Sequence, residues 1–135
     1  MTATDRPDPN SLRCPCCSGL VFGECCGPLL SRVRPAPTAQ AMMRSRFTAF
    51  ARGDRDYLLD TWHPDTRPRE LDLADDLRWY RLDVESVSAG TPFDSAGEVG
   101  FTAYYRTPDG PGTLHELSRF TRVSGRWYYV DGKVG

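Results

Sequence analysis

The sequence predicts an α+β fold in which helices cover one face of a curved antiparallel sheet, with a small cysteine-built unit in front. Three observations carry this. Five cysteines fall within residues 14–26, and apolar residues recur at helical spacing between 38 and 63. From Trp79 onward the chain turns to runs of aromatic and β-branched residues separated by short turns. Helical segments followed by strands fit helices laid on one face of a sheet. At 135 residues the chain can bury one full core and an appendage, but not two ordinary domains.

Composition narrows the setting. Hydrophobic residues make up 39% and charged residues 26%, the balance of a soluble globular protein. No apolar run approaches the roughly 20 residues of a spanning helix, so no membrane is expected. Met1 to Asn10 is polar and lacks the apolar stretch of a secretory signal, so a cytoplasmic location is expected. The formal net charge is -1, yet the first 53 residues hold seven arginines against three acids. A ribosome or nucleic-acid contact would have to run through Arg6, Arg13, Arg32, Arg34, Arg44, Arg46 and Arg52. The acidic remainder argues against nucleic acid as a partner.

Residues 1–12 read as a disordered N-terminus, and 13–30 as the cysteine unit. Cys14 and Cys16 form one tight pair and Cys25 and Cys26 another, on either side of an eight-residue loop. In a reducing compartment such spacing points to metal rather than disulfides. Four soft thiolates suit tetrahedral zinc, and Gly19, Gly23 and Gly27 allow the turns that aim the sulfurs inward. Cys14, Cys16, Cys25 and Cys26 are the expected ligands, with Cys17 a spare thiol or a second-best ligand. Four saturated ligands leave no open position for catalysis.

Residues 31–37, with Pro35 and Pro37, read as an extended linker across which few contacts are expected. Thr38 can cap a helix whose residues Ala39, Met43, Phe47 and Phe50 share a face, with Arg46 at its edge. Gly53 stops that helix, Asp54 can start a second, and Pro64 ends it after Trp62 and His63. Asp65 to Asp76 reads as a further helical turn or two. Four strands follow, Trp79 to Ala89, Glu98 to Thr107, Gly112 to Val123 and Arg126 to Asp131. Connections this short imply an antiparallel meander, because parallel neighbours need crossovers of about a dozen residues.

Two stretches carry a family resemblance. Cys14-Pro15-Cys16-Cys17-Ser18-Gly19, followed by Cys25-Cys26-Gly27, resembles the SEC-C motif, a zinc-binding appendage found in many otherwise unrelated proteins. Cys17 stands where that motif usually has Gly, and Leu20 to Glu24 replaces its lysine-rich loop. Met42 to Phe50, Asp56-Tyr57-Leu58, Thr61 to Pro64, Ser118-Arg119-Phe120 and Gly125 to Gly132 resemble the bacterial YchJ family. The resemblance implies a SEC-C motif followed, over 38–132, by a domain like nuclear transport factor two, a cone of bent sheet closed by helices. It supplies fold rather than function.

Function must then come from the cone interior. Alternation on the third strand places Leu114, Glu116, Ser118 and Phe120 on one face, so Glu116 points inward if Phe120 does. A carboxylate held in an apolar cone could serve as a general acid or base, with His63 and Arg46 as auxiliaries. The expected alternative is a structural ion pair between Glu116 and Arg46 in a filled cone, with His63 near a helix end. Trp62, Arg44, Arg119 and Trp127 are candidate ligand-binding residues, the tryptophans by stacking and the arginines by reading an anionic group. The leading expectation is a non-enzymatic zinc-binding adaptor, whose cone takes a protein or small ligand while the knuckle docks a protein partner. The alternative is a small-molecule enzyme of isomerase, hydrolase or dehydratase type.

Overall fold

The computed structural model describes residues 8–135. Of the expected disordered stretch 1–12, residues 1–7 lie outside the described residues, and Pro9–Ser11 form a single 3-10 turn capped by Asp8. The chain then makes a tight loop held by an antiparallel bridge between Arg13 and Val21. A second 3-10 turn, Phe22–Glu24, leads into helix α1, Gly27–Leu30, with Pro28 in its first turn.

Helix α2, Ala39–Arg52, has both ends specified by its flanking residues. Thr38 Oγ1 accepts from the Ala41 amide at 3.0 Å. Gly53, at φ 72°, takes the left-handed conformation that ends the helix without a Cβ clash. Asp54 then caps helix α3, Arg55–Asp60, by accepting from the Tyr57 amide at 3.1 Å. Residues 65–76 hold turns but no helix, unlike the expectation. Pro64 and Pro68 remove two backbone donors, and Leu71 and Leu73, at a spacing that is not helical, both pack on the cluster of Ala49, Tyr57 and Leu58.

Strands β1 (Arg78–Ala89), β2 (Ala96–Thr107), β3 (Gly110–Val123) and β4 (Arg126–Val134) form one antiparallel sheet in sequence order. The four strands are those expected, each longer by one to three residues at one end. Register shifts interrupt β1 twice, near Tyr80 and Glu85, and the β3–β4 pairing once, beside Phe120. Each such bulge bends its strand and increases local twist, and together they curve the sheet around α2. Helix α2 packs on β1, β2 and β4. Phe47, Leu82, Val99, Phe101, Phe120 and Trp127 are buried between them.

The cysteine unit is part of this core. Cys14, Cys16, Phe22, Cys26 and Leu29 are buried in one continuous cluster with Met42, Met43 and Phe47 of α2. Cys14 Sγ lies 3.7 Å from Thr48 Oγ1, Arg44 donates to the Cys16 carbonyl at 2.8 Å, and the Arg52 guanidinium sits 4.2 Å from the Phe22 ring centre. Residues 44, 48 and 52 form one stripe of α2 at i, i+4 spacing. This corrects the expectation that few contacts cross between the two parts. The segment 31–37 is also not extended. The amides of Val33 and Arg34 both donate to the Pro28 carbonyl, and Ala36 is buried against the core. The sheet covers only one side of α2, and the apolar side of the cysteine unit covers another.

Candidate functional site

The cysteine cluster is built by backbone turns. The Cys14 amide donates to the Leu20 carbonyl at 2.9 Å, and the Phe22 amide to that of Leu12 at 2.7 Å, folding the loop so that its two ends meet. The four sulfurs of Cys14, Cys16, Cys25 and Cys26 lie within 4.8 Å of one another. Cys16 and Cys25 are 3.6 Å apart, and Cys25 and Cys26 3.9 Å. A tetrahedral metal with bonds of about 2.3 Å to sulfur requires edges of about 3.8 Å, so the residues fit a four-thiolate metal site. Without a cation the sulfurs must share protons. Hydrogen bonds from Cys16 and Cys26 hold the Cys14 thiol well below its ordinary range, while donating to Cys14 pushes Cys16 up to about 11 and raises Cys26 as well. Ser18 Oγ lies 3.2 Å from Cys25 Sγ, an outer contact to the cluster alongside Thr48. Cys17 is exposed and outside the cluster, with φ 66°.

The second site is a cavity of about 260 Å³ between α2 and the concave face of the sheet. Its walls are apolar, from Met43, Phe47 and Phe50 on α2 to Trp79, Phe101 and Leu114 on the sheet. Its polar end is formed by Arg46, Trp62, Glu116, Ser118 and Tyr129. Glu116 points inward with Leu114, Ser118 and Phe120, as the alternation implies. Its Oε2 accepts from Ser118 Oγ at 2.6 Å and from the Tyr129 hydroxyl at 3.2 Å, leaving Oε1 without a hydrogen-bond partner among the described residues. Gly132 on β4 makes room for it, since a Cβ there would collide with the Glu116 carboxylate.

Arg46 is only 3% exposed. Its Nη1 donates to the Leu58 carbonyl at 2.8 Å and to Thr61 Oγ1 at 2.7 Å. Its guanidinium lies 4.6 Å from the Tyr129 ring centre and 5.1 Å from that of Trp62. Burial pushes this group down to about 10, opposed by Tyr129, Tyr57 and Glu116, so it remains a cation at neutral pH. Desolvation and the Glu116 carboxylate raise the Tyr129 phenol, which stays protonated and able to donate. The expected ion pair is not formed: Arg46 and Glu116 do not come within salt-bridge distance, and Tyr129 stands between them. Nor is the cone filled. Trp62 stacks edge-on against Tyr129 at 5.1 Å, and its buried Nε1 has no hydrogen-bond partner among the described residues.

The other candidates lie elsewhere. The His63 ring packs at 6.0 Å on Tyr128, whose side chain alternates away from the cavity, and its Nδ1 accepts from the Asp65 amide at 3.1 Å. Arg44 is committed to the cysteine unit through the Cys16 carbonyl. Arg119 forms a bidentate pair with Asp131, both bonds 2.6 Å, on the outer face of the sheet. Trp127 is a core residue donating to the Pro37 carbonyl at 3.3 Å. Sequence reasoning gave no polar role to Tyr129, Ser118, Thr61 or Gly132. Ser118 was findable, two residues from Glu116 on the same strand face; the others depend on how α3 meets β4.

The model of the middle domain of YchJ, described as NTF2-like, matches residues 38–132. The chain belongs to the YchJ family. A UPF0225 protein of Corynebacterium efficiens is 51% identical over 123 residues, covering 91% of this chain and 94% of that relative. The solution structure of a SEC-C motif-containing protein from Rhodopseudomonas palustris superposes with a TM-score of 0.78 at 36% identity, covering 90% of this chain and 98% of the other. A crystal structure of a SEC-C motif-containing protein from Psychrobacter arcticus gives 0.75 at 28% identity, covering 93% and 85%. The YchJ fold expected from the sequence, a cysteine unit before an NTF2-like cone, is the fold observed. Among the described residues no helix is long and apolar enough to cross a membrane.

Proposed function

We propose that this chain is a non-enzymatic binding module, in which zinc clips the cysteine unit onto a cone domain that takes a small molecule into its cavity. The supporting observation is the hollow itself, ending on Arg46 and Glu116. Protein interiors are close-packed, and an apolar void beside a buried cation and a carboxylate that do not touch is costly unless something fills it. The volume lies below the roughly 300–1,000 Å³ usual for ligand clefts, which favours a compact occupant over a nucleotide cofactor.

Zinc follows from the softness of four thiolates and their tetrahedral spacing, and its role there is structural because no ligand position is open. The inner side of the unit is taken up by α2, so this reading gives it a clamping role before a docking one. None of the five cysteines is paired in a disulfide, and a four-thiolate zinc site suits a reducing compartment such as the cytoplasm. An enzymatic reading would rest on Glu116 with Arg46, because His63 is outside the cavity.

The indole N–H signals provide the test. Trp62 and Trp79 line the cavity, whereas Trp127 is buried in the core outside it. Titrating ¹⁵N-labelled protein with pooled small metabolites should shift the first two signals and leave the third. Turnover of a bound compound on long incubation would replace the binding reading with the enzymatic one. Elemental analysis should find about one zinc per chain.

A further inference from the structure

Taking the cavity to be a ligand site, as proposed above, we infer that its occupant is an uncharged molecule with a carboxamide-type edge, a carbonyl with an adjacent N–H, on a flat apolar body. The polar end of the cavity offers both halves of that pattern. Arg46 uses Nη1 on Leu58 and Thr61, and its Nε and Nη2 make no hydrogen bond to a described residue. Glu116 uses Oε2 on Ser118 and Tyr129, and its Oε1 makes none. Donors without a partner therefore stand at one side and an acceptor without a partner at the other.

Tyr129 sets the spacing between them. Its ring face carries the Arg46 guanidinium and its hydroxyl touches the Glu116 carboxylate, so the two charges are held about one phenol ring apart. This arrangement selects on charge. An anionic head would approach Arg46 but meet Glu116 as a like charge, and a cationic head would meet the reverse. A neutral head disturbs neither, while its carbonyl accepts from Arg46 and its N–H donates to Glu116 Oε1. Leaving either group unmatched in so apolar a space is what penalises a head with only one half of the pattern. The aromatic walls, Phe47, Phe50, Trp79 and Phe101, suit a planar body, and the volume limits it to about one ring with its substituent.

The test uses four probes of nearly the same size: benzamide, benzoate, benzamidine and toluene. Each is titrated into metal-loaded protein while the Trp62, Trp79 and Trp127 indole signals are followed. Benzamide should bind with saturation, about tenfold or more tighter than the other three. Tighter binding of benzoate or benzamidine would overturn the inference, as would toluene binding equally well. Binding of any of those three without benzamide would leave the cavity a ligand site but of another class. No shift from any probe at millimolar concentration would remove both readings. A variant sharpens the result. Glu116→Gln leaves the Arg46 charge unopposed, so benzoate should gain about tenfold on benzamide; an unchanged ranking would count against the role given to the two charges.

Discussion

The cysteine cluster and the cone cavity lie against opposite faces of α2, and they use buried polar groups in contrary ways. In the cluster four sulfurs converge on one point, each within reach of the others, and a single cation would satisfy them all. In the cavity two opposite charges are kept apart by Tyr129, and part of each is left without a partner. The first arrangement completes a core, and the second leaves a core incomplete. The difference teaches that burial of polar groups is not by itself a mark of function: what distinguishes the cavity is the unmatched hydrogen-bonding capacity beside open space.

Removing the cluster should have the largest effect. Cys26→Ser should abolish metal binding and melt the sheet with the knuckle, because Cys26 shares one core with Met43 and Phe47. The loss should be on the order of 5 kcal/mol or more, enough to unfold a domain of this size. Elemental analysis beside a far-UV thermal melt checks it. A metal-free protein whose sheet melts at the original temperature would show that the two regions are independent after all.

Arg46→Met comes next and works on the cavity side. It strips the Leu58 carbonyl and Thr61 of their buried donor and should cost about 2–4 kcal/mol in urea denaturation, with metal content unchanged. Glu116→Gln should be milder, about 1–2 kcal/mol, since Ser118 and Tyr129 keep an oxygen to donate to but lose its charge. If it were as damaging as Arg46→Met, the cavity's two charges would be a structural pair and the contrast with the cluster would weaken.

The smallest effect should be a gain. Cys17 holds a left-handed backbone conformation that costs a side-chain-bearing residue about 1 kcal/mol or more, and its sulfur is outside the cluster. Cys17→Gly should keep the metal and raise stability by about 0.5–1 kcal/mol, after the added freedom of glycine in the unfolded chain is set against the relief. A loss of metal in that variant would place Cys17 among the ligands.

The fold was legible in the sequence wherever a local rule determined it. Thr38 and Gly53 mark the ends of α2, strand alternation puts Glu116 inside, and cysteine spacing selects the four clustered sulfurs over Cys17. What escaped depends on contacts between distant segments. Arg46 lies on the apolar side of α2, which makes it a natural partner for Glu116, but its Nη1 is taken by the Leu58 carbonyl and Thr61 Oγ1, and no salt bridge to Glu116 forms. The prolines at 35 and 37 suggested a spacer, yet the chain turns back at Pro28 because the apolar side of the cysteine unit has α2 to cover. His63 follows Trp62 directly, but the backbone pairing with β4 turns their rings to different sides.

That pairing also sets an order in time. Every strand of the sheet pairs with its neighbour in sequence, so the meander can form early from nearby contacts. Closing the cone is different: the Trp127 bond to Pro37 spans 90 residues, and the bridge between Trp62 and Tyr129 joins α3's end to the last strand. The His63 amide donates to the Tyr129 carbonyl and the Tyr129 amide to that of Thr61, both at 2.8 Å. In pulsed hydrogen exchange during refolding, these two amides should gain protection after those of the β2–β3 ladder. The polar end of the cavity, which needs Trp62 and Tyr129 side by side, is then assembled after the sheet that forms its floor.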